Sequence, residues 1–248
     1  MIWWKSYRAR HAAATLVVVL AAVLPARAQT ALLRADFENQ TVGQPVGLRG
    51  AAFGEPDWFG GPGVNVIRAG ITGSLSLEMA DIDTLPFPAL LRFDLPDSGL
   101  ADRPDLTVSV LAVPVEVDDY ALLVTDAGAG GSATFQFCKV QFDNGTLTVT
   151  DQAHPDPQPV GSFTADNAVR LELRLHQAAG TWDLLLDGAV VLADRAWGGG
   201  APPVGSVWLT IEGDADILGV VDWDDLTVTR GGVAAVPLTW SEVKHRYR

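Results

Sequence analysis

The sequence predicts an all-β protein in which two antiparallel sheets stack as a sandwich. Val169-Arg170-Leu171-Glu172-Leu173-Arg174-Leu175 alternates apolar and charged without a fault, the period of a strand half-buried on a sheet. Asn144-Gly145 and Asp187-Gly188 stand between apolar runs, and both pairs tolerate the positive φ of a type I′ hairpin. Helical periodicity is nearly absent before the C-terminal tail.

Composition fits that class. Of 248 residues, 48% are hydrophobic and 19% charged, enough to bury a core and too few charges for a disordered chain. The 25 Gly and 15 Pro make many turns but follow no G-X-Y period, which excludes collagen. All 30 Asp and Glu lie beyond residue 28, whereas Lys5, Arg8, Arg10 and Arg27 precede it, so residues 29–248 hold 13 basic against 30 acidic side chains, a net of −17. Such a body repels nucleic acid and anionic lipid, so no nucleic-acid partner is expected.

In chain order, residues 1–28 read as a signal peptide. A basic start leads into the apolar run Ala12 to Leu24, closed by the A-x-A cleavage site Ala26-Arg27-Ala28. The run reaches about 20 Å as a helix, short of the roughly 30 Å hydrocarbon core. No later stretch is apolar for long enough, so no transmembrane anchor is expected after cleavage, and the location is secreted or periplasmic, in the cell envelope. Cys138 is the only cysteine, so stability must come from the core rather than from a disulfide.

One sandwich domain is expected over residues 29–230, then a hinge at Gly231-Gly232 and a short basic, aromatic tail to residue 248. Leu106 to Val110, Thr146 to Thr150 and Val207 to Glu212 repeat the period of two, and about a dozen strands fit between the turn residues. Residues 43–63, rich in Gly and Pro, and residues 151–159, which hold Pro155, Pro157 and Pro159, read as long surface loops. The absence of a 20- to 50-residue repeat argues against a propeller or solenoid. Two runs change phase. Phe135 and Phe137 share one face while Val140 and Phe142 take the other, which asks for a bulge near Cys138-Lys139; Val221 and Trp223 give way to Leu226 and Val228, with the parity changing at Asp224-Asp225.

Several short motifs carry a resemblance. Arg34-Ala35-Asp36-Phe37-Glu38-Asn39 with Thr41-Val42-Gly43 is similar to the opening of secreted bacterial jelly-roll domains. Residues 169–175 followed by Gly180-Thr181-Trp182-Asp183-Leu184-Leu185-Leu186-Asp187-Gly188 resemble the hairpin of the concanavalin A-like lectin and glucanase superfamily, including its laminin-G-like branch. Val221-Asp222-Trp223-Asp224-Asp225-Leu226-Thr227-Val228 is similar to its terminal strand. The resemblance implies a jelly-roll sandwich with one concave sheet, and ligands on that face or on rim loops. It also implies that the first and last strands pair, bringing Asp36 and Glu38 near Asp222 and Asp224. With each pair two residues apart on its strand, the four carboxylates would converge on a structural Ca²⁺, which takes 6 to 8 oxygen ligands. The alternative is that these acids protect an exposed sheet edge.

No catalytic residue is expected. Retaining glucanases of that superfamily carry E-x-D-x-x-E, which sets two carboxyls about 5 Å apart. Glu116-Val117-Asp118-Asp119 and Glu78-Met79-Ala80-Asp81-Ile82-Asp83 lack the second glutamate, and no G-x-S-x-G, H-E-x-x-H or P-loop is present. His154, His176 and His245 are far apart in sequence. His176 extends the polar face of residues 170–174 and reads as a surface histidine, and Cys138 as a small core side chain.

Sugar recognition needs flat aromatic faces and nearby hydrogen-bonding groups. Val207, Leu209 and Ile211 take one face, leaving Trp208 on the other with Thr210 and Glu212, so Trp208 is the first candidate platform, unless a loop packs over it. Trp58, Phe59 and Trp197, in Gly-rich surroundings, are candidate rim platforms; Trp182 and Trp223 are assigned to packing. In the tail, Thr239 caps a possible short helix presenting Trp240, Val243 and Tyr247, with Lys244, Arg246 and Arg248 at its C-terminal end. It is read as an element that docks a partner, or as a helix folded back on the sandwich. The reading is a secreted, non-enzymatic β-sandwich that binds a polysaccharide, a cell-surface glycan or another extracellular surface. The alternatives are a carbohydrate-active hydrolase or lyase with an unrecognised site, and a structural or interaction protein without a small ligand.

Overall fold

The computed structural model describes residues 30–38, 41, 56–57, 64–69, 75–80, 89–95, 102–115, 119–126, 135–211 and 219–231. The expected signal peptide and tail helix lie outside the described residues. Those described form fifteen strands and no helix, divided between two antiparallel sheets. The first sheet holds β1 (Thr30–Ala35), β3 (Val64–Ala69), β4 (Leu75–Ala80), β6 (Leu106–Pro114), β11 (Val169–His176), β12 (Thr181–Leu186), β13 (Ala189–Ala196) and β15 (Val220–Arg230). Its order is β13-β12-β11-β6-β15-β4-β3, and β1 lies on β15 as well. The second holds β2 (Pro56–Asp57), β5 (Ala89–Asp94), β7 (Tyr120–Asp126), β8 (Gln136–Asp143), β9 (Thr146–Thr150), β10 (Gln158–Ser162) and β14 (Val204–Ile211), in the order β10-β9-β8-β7-β14-β5-β2.

The alternation of β11 is reproduced residue for residue: Val169, Leu171, Leu173 and Leu175 are buried, and the residues between them are half-exposed. The buried set meets Leu122 and Val124 of β7 and Val207, Leu209 and Ile211 of β14 in one core between the sheets. Both hairpins have the expected geometry, with φ of 45° and 83° at Asn144 and Gly145, and 49° and 82° at Asp187 and Gly188. The Asp187 carboxylate also accepts the Arg170 backbone N–H at 2.9 Å, which ties the turn to the start of β11.

Both phase changes are bulges. On β15 the register with β6 shifts between Asp224 and Thr227, Asp225 takes φ 51°, and Leu226 and Val228 return to the core. On β8 Val124 pairs with Cys138 and Thr125 with Gln136, so Phe137 is the extra residue. Phe137 and Cys138 are therefore buried together, one residue earlier than the alternation suggests. The 151–159 segment is a loop only as far as Pro157, because Gln158–Ser162 pairs with β9; Pro159 is accommodated there because β10 is an edge strand.

That loop is fastened to the other sheet by a buried ion pair. Asp151, 1% exposed, accepts from Arg195 Nε on β13, from the backbone N–H groups of Ala153 and His154 at 2.9 Å each, and from His154 Nδ1 at 2.9 Å. Arg195 also donates to Gln158 Oε1 and lies 5.8 Å from the centroid of the Trp182 ring. Burial alone would raise the Asp151 pKa, but the hydrogen bonds from Arg195 and His154 outweigh it and hold the carboxyl below its usual 3.8. The stabilisation is thus present above pH 3.8 and lost as pH falls below it. Asp151→Ala, which strands the Arg195 charge, is expected to cost about 3–5 kcal/mol in urea unfolding, and adding Arg195→Met is expected to restore most of it.

His176 is more than a surface residue. Its Nε2 lies 3.1 Å from Asp183 Oδ2 on β12 and its Nδ1 3.6 Å from Asp105 Oδ2, just before β6, while Asp183 Oδ1 accepts the Asp194 N–H on β13. Partial burial lowers its pKa, yet the hydrogen bonds and charges of Asp183 and Asp105 prevail and raise it above 6.5. A raised histidine stabilises fully below the unfolded value and loses that effect as pH climbs through the folded one. The stability difference between the unaltered protein and His176→Asn should accordingly be greater at about pH 5.5 than at about pH 8.5, as read from urea midpoints.

Candidate functional site

Among the described residues the inner faces of both sheets pack together in one core, and the second sheet carries the aromatic candidate on its outer face. On β14, Val207, Leu209 and Ile211 enter the core, which turns Ser206, Trp208 and Thr210 outward. The same parity turns out Arg92 and Asp94 on β5, Leu123 and Thr125 on β7, and Lys139 and Gln141 on β8. Register then aligns them. Trp208 stands opposite Arg92 on one side and Leu123 on the other; Leu123 faces Lys139, and Lys139 faces Thr150 of β9. At about 4.8 Å per strand, this five-residue row crosses about 19 Å.

Trp208 is half-buried and its ring is held from two directions. The indole Nε1 donates to Ser206 Oγ at 2.7 Å, and the Arg92 guanidinium lies 5.4 Å from the ring centroid. Arg92, only 4% exposed, donates through Nε to Asp94 Oδ1 at 2.6 Å. Ser206 Oγ lies 2.8 Å from Thr125 Oγ1, and both hydroxyls reach the Asp126 carbonyl, at 3.2 and 3.1 Å. In the adjoining row Gln136 Nε2 donates to Thr150 Oγ1 at 2.9 Å. Arg92, Ser206 and Thr125 are buried and hold the ring, while the partly exposed Trp208, Asp94, Lys139 and Thr150 leave an aromatic face and polar groups at the surface, the two kinds of contact a sugar requires.

The other candidates divide. Trp197 is corrected: it is 1% exposed and packs edge-on against Phe137 at 5.1 Å, with its backbone N–H donated to Gly180, so it is a core side chain and no rim platform. The register irregularities between β12 and β13 are what carry Arg195 and Trp197 inward, and the local sequence does not announce them. Trp58 and Phe59 lie outside the described residues. Trp182 and Trp223 are fully buried, as assigned. Cys138 is buried as well; burial, then the Asp151 charge, pushes its thiol far up and leaves it unreactive.

The expected convergence of Asp36, Glu38, Asp222 and Asp224 is also corrected. β1 does pair with β15, but β1 ends at Ala35, and Phe37 takes φ 56° with its ring in the core. Asp36 pairs with Arg34 at 3.2 Å, and Glu38 accepts the Leu75 N–H at 2.8 Å. Asp222 sits beside Glu78 and Val113, and Asp224 accepts the Asp225 N–H at 2.7 Å at the bulge. Among the described residues no three His, Cys, Asp or Glu side chains gather to hold a metal ion.

Arg92, Lys139, Ser206 and Thr125 were not foreseen. The alternation in Leu91-Arg92-Phe93-Asp94 sets Arg92 and Asp94 on one face, but only the pairing of β5 with β14 puts them beside Trp208.

No protein-family model and no curated protein matches the sequence. Solved structures do match in fold. The carbohydrate esterase of the Shiga toxin-encoding bacteriophage phi24B superposes with a TM-score of 0.55 at 12% identity, over 83% of this chain and 100% of that one. The cellulose induced protein Cip1 gives 0.53 at 15% identity, over 81% and 99%. A sialidase gives 0.51 at 14% identity over 66% of this chain, which spans only 16% of the sialidase. At such identities the likeness is one of fold, a β-sandwich found in carbohydrate-related proteins.

Burial separates the tryptophans by cost of removal. Trp182→Ala and Trp223→Ala should each lose about 3–5 kcal/mol in urea unfolding, and Trp208→Ala less, because Trp208 is only partly buried.

Proposed function

We propose that the protein is a secreted, non-enzymatic, concanavalin A-like β-sandwich that binds a glycan on the outer face of its second sheet, with Trp208 as the stacking platform. The observation that carries the reading is the fixed, half-exposed Trp208 ring in a row with Arg92, Leu123, Lys139 and Thr150. A row that runs straight across five strands suits an extended polysaccharide better than a single sugar. The pairing of β1 with β15 agrees with the superfamily named, and similar folds include a protein described as a carbohydrate esterase. Secretion rests on the basic, apolar and A-x-A pattern of residues 1–28. Binding is preferred to cleavage because the sequence has no paired-glutamate motif.

A glycan array run beside a reducing-sugar assay tests this. Retention without product release is the expected result, and Trp208→Ala should abolish retention while the protein stays folded. Product release would make it an enzyme, and silence in both assays would move it to the interaction class.

A further inference from the structure

Ser206 faces away from the core between the sheets yet is fully buried. Its Oγ is the meeting point of three groups: the Trp208 indole N–H at 2.7 Å, the Thr125 hydroxyl at 2.8 Å and the Asp126 carbonyl at 3.2 Å. Thr125, 3% exposed, reaches the same carbonyl at 3.1 Å. The hydroxyl pair bridges β14 to β7 where their register shifts between Val204 and Ser206. One hydroxyl therefore accepts the only polar hydrogen on the Trp208 side chain and is itself held by the neighbouring strand.

We propose that Ser206 is the positioning residue of the glycan platform: with Thr125 and the Asp126 carbonyl behind it, it fixes the Trp208 indole in the orientation that meets a sugar. The inference rests on the glycan-binding reading. An indole on a strand has two side-chain torsions, and freezing them before the ligand arrives removes an ordering cost that binding would otherwise carry. The hydrogen bond sets which edge of the indole points along β14, and Arg92 against the ring opposes its tilting, so the two contacts act on different motions.

The test uses the full chain in affinity electrophoresis through gels containing hydroxyethylcellulose, xylan or alginate, with ¹H–¹⁵N spectra of the indole N–H signals. Ser206→Ala should weaken retardation about tenfold, the effect of one buried hydrogen bond worth about 1.4 kcal/mol, and Ser206→Thr, which keeps the hydroxyl, should recover it. In a Trp208→Phe background, where the ring is flat but has no N–H, Ser206→Ala should change nothing further. The indole signal that disappears in Trp208→Phe should shift and exchange faster with solvent in Ser206→Ala. If Ser206→Ala does not fold, Thr125→Val, of nearly the same shape, carries the same cycle. Equal weakening in both backgrounds, or an indole signal that does not move, overturns the positioning role while leaving Trp208 as platform. Retardation that survives Trp208→Ala, or an unaltered protein that no gel retards, overturns the glycan reading and the inference with it.

Discussion

Two sheets share one core, and every strand must send alternate side chains into it. That constraint governs the rest of the molecule. A strand that keeps the period of two, such as β11, obeys it without adjustment. A strand whose apolar residues change phase cannot, because one step of misregister would place Leu226 and Val228 in water and Asp225 in the core. β15 resolves the conflict by a bulge, and the displaced Asp225 is taken up on the outer face by Arg170 at 3.1 Å. β8 resolves it by burying Phe137 and Cys138 in succession, which places Phe137 against Phe135 and Trp197 and supplies the aromatic part of the core.

The same constraint decides which charges matter. Residues 29–248 are strongly acidic, and each arginine whose contacts are described lies against a carboxylate: Arg34 on Asp36, Arg92 on Asp94, Arg170 on Asp225, Arg174 on Glu172, Arg195 on Asp151 and Arg230 on Asp102. Exposed pairs of this kind contribute little, because water screens them and both side chains lose freedom. Arg195 and Asp151 differ, since both are buried where the loop after β9 meets β13. Their partners make the pair serve as a fastener between sheets rather than as surface decoration.

With the inner faces of the described strands given over to packing, side chains on an outer face are free to vary but must still be held. Trp208 shows how a strand does this. Its neighbours along β14 and across on β5 and β7 immobilise it, so a ring that projects from the sheet is presented in one orientation. A loop tryptophan would need ordering at the moment of binding, whereas this one is ordered by the sheet.

Much of this was legible in the sequence. The strict alternation of 169–175, the Asn-Gly and Asp-Gly turns, the phase changes at 137–139 and 224–225 and the outward parity of Trp208 are local properties, dictated by a period of two and by the steric freedom of a few turn residues. Other features depend on which strands become neighbours, and no local pattern encodes that. Trp197, set among glycines, reads as exposed, yet irregular pairing of β12 with β13 draws it into the core. Asp36 and Glu38 read as strand neighbours sharing a face, yet β1 ends at Ala35 and the left-handed Phe37 turns the chain between them. The row around Trp208 belongs wholly to tertiary structure: Arg92, Trp208, Leu123, Lys139 and Thr150 are scattered over the chain and come into line only through the register of five strands, set by the core those strands bury together.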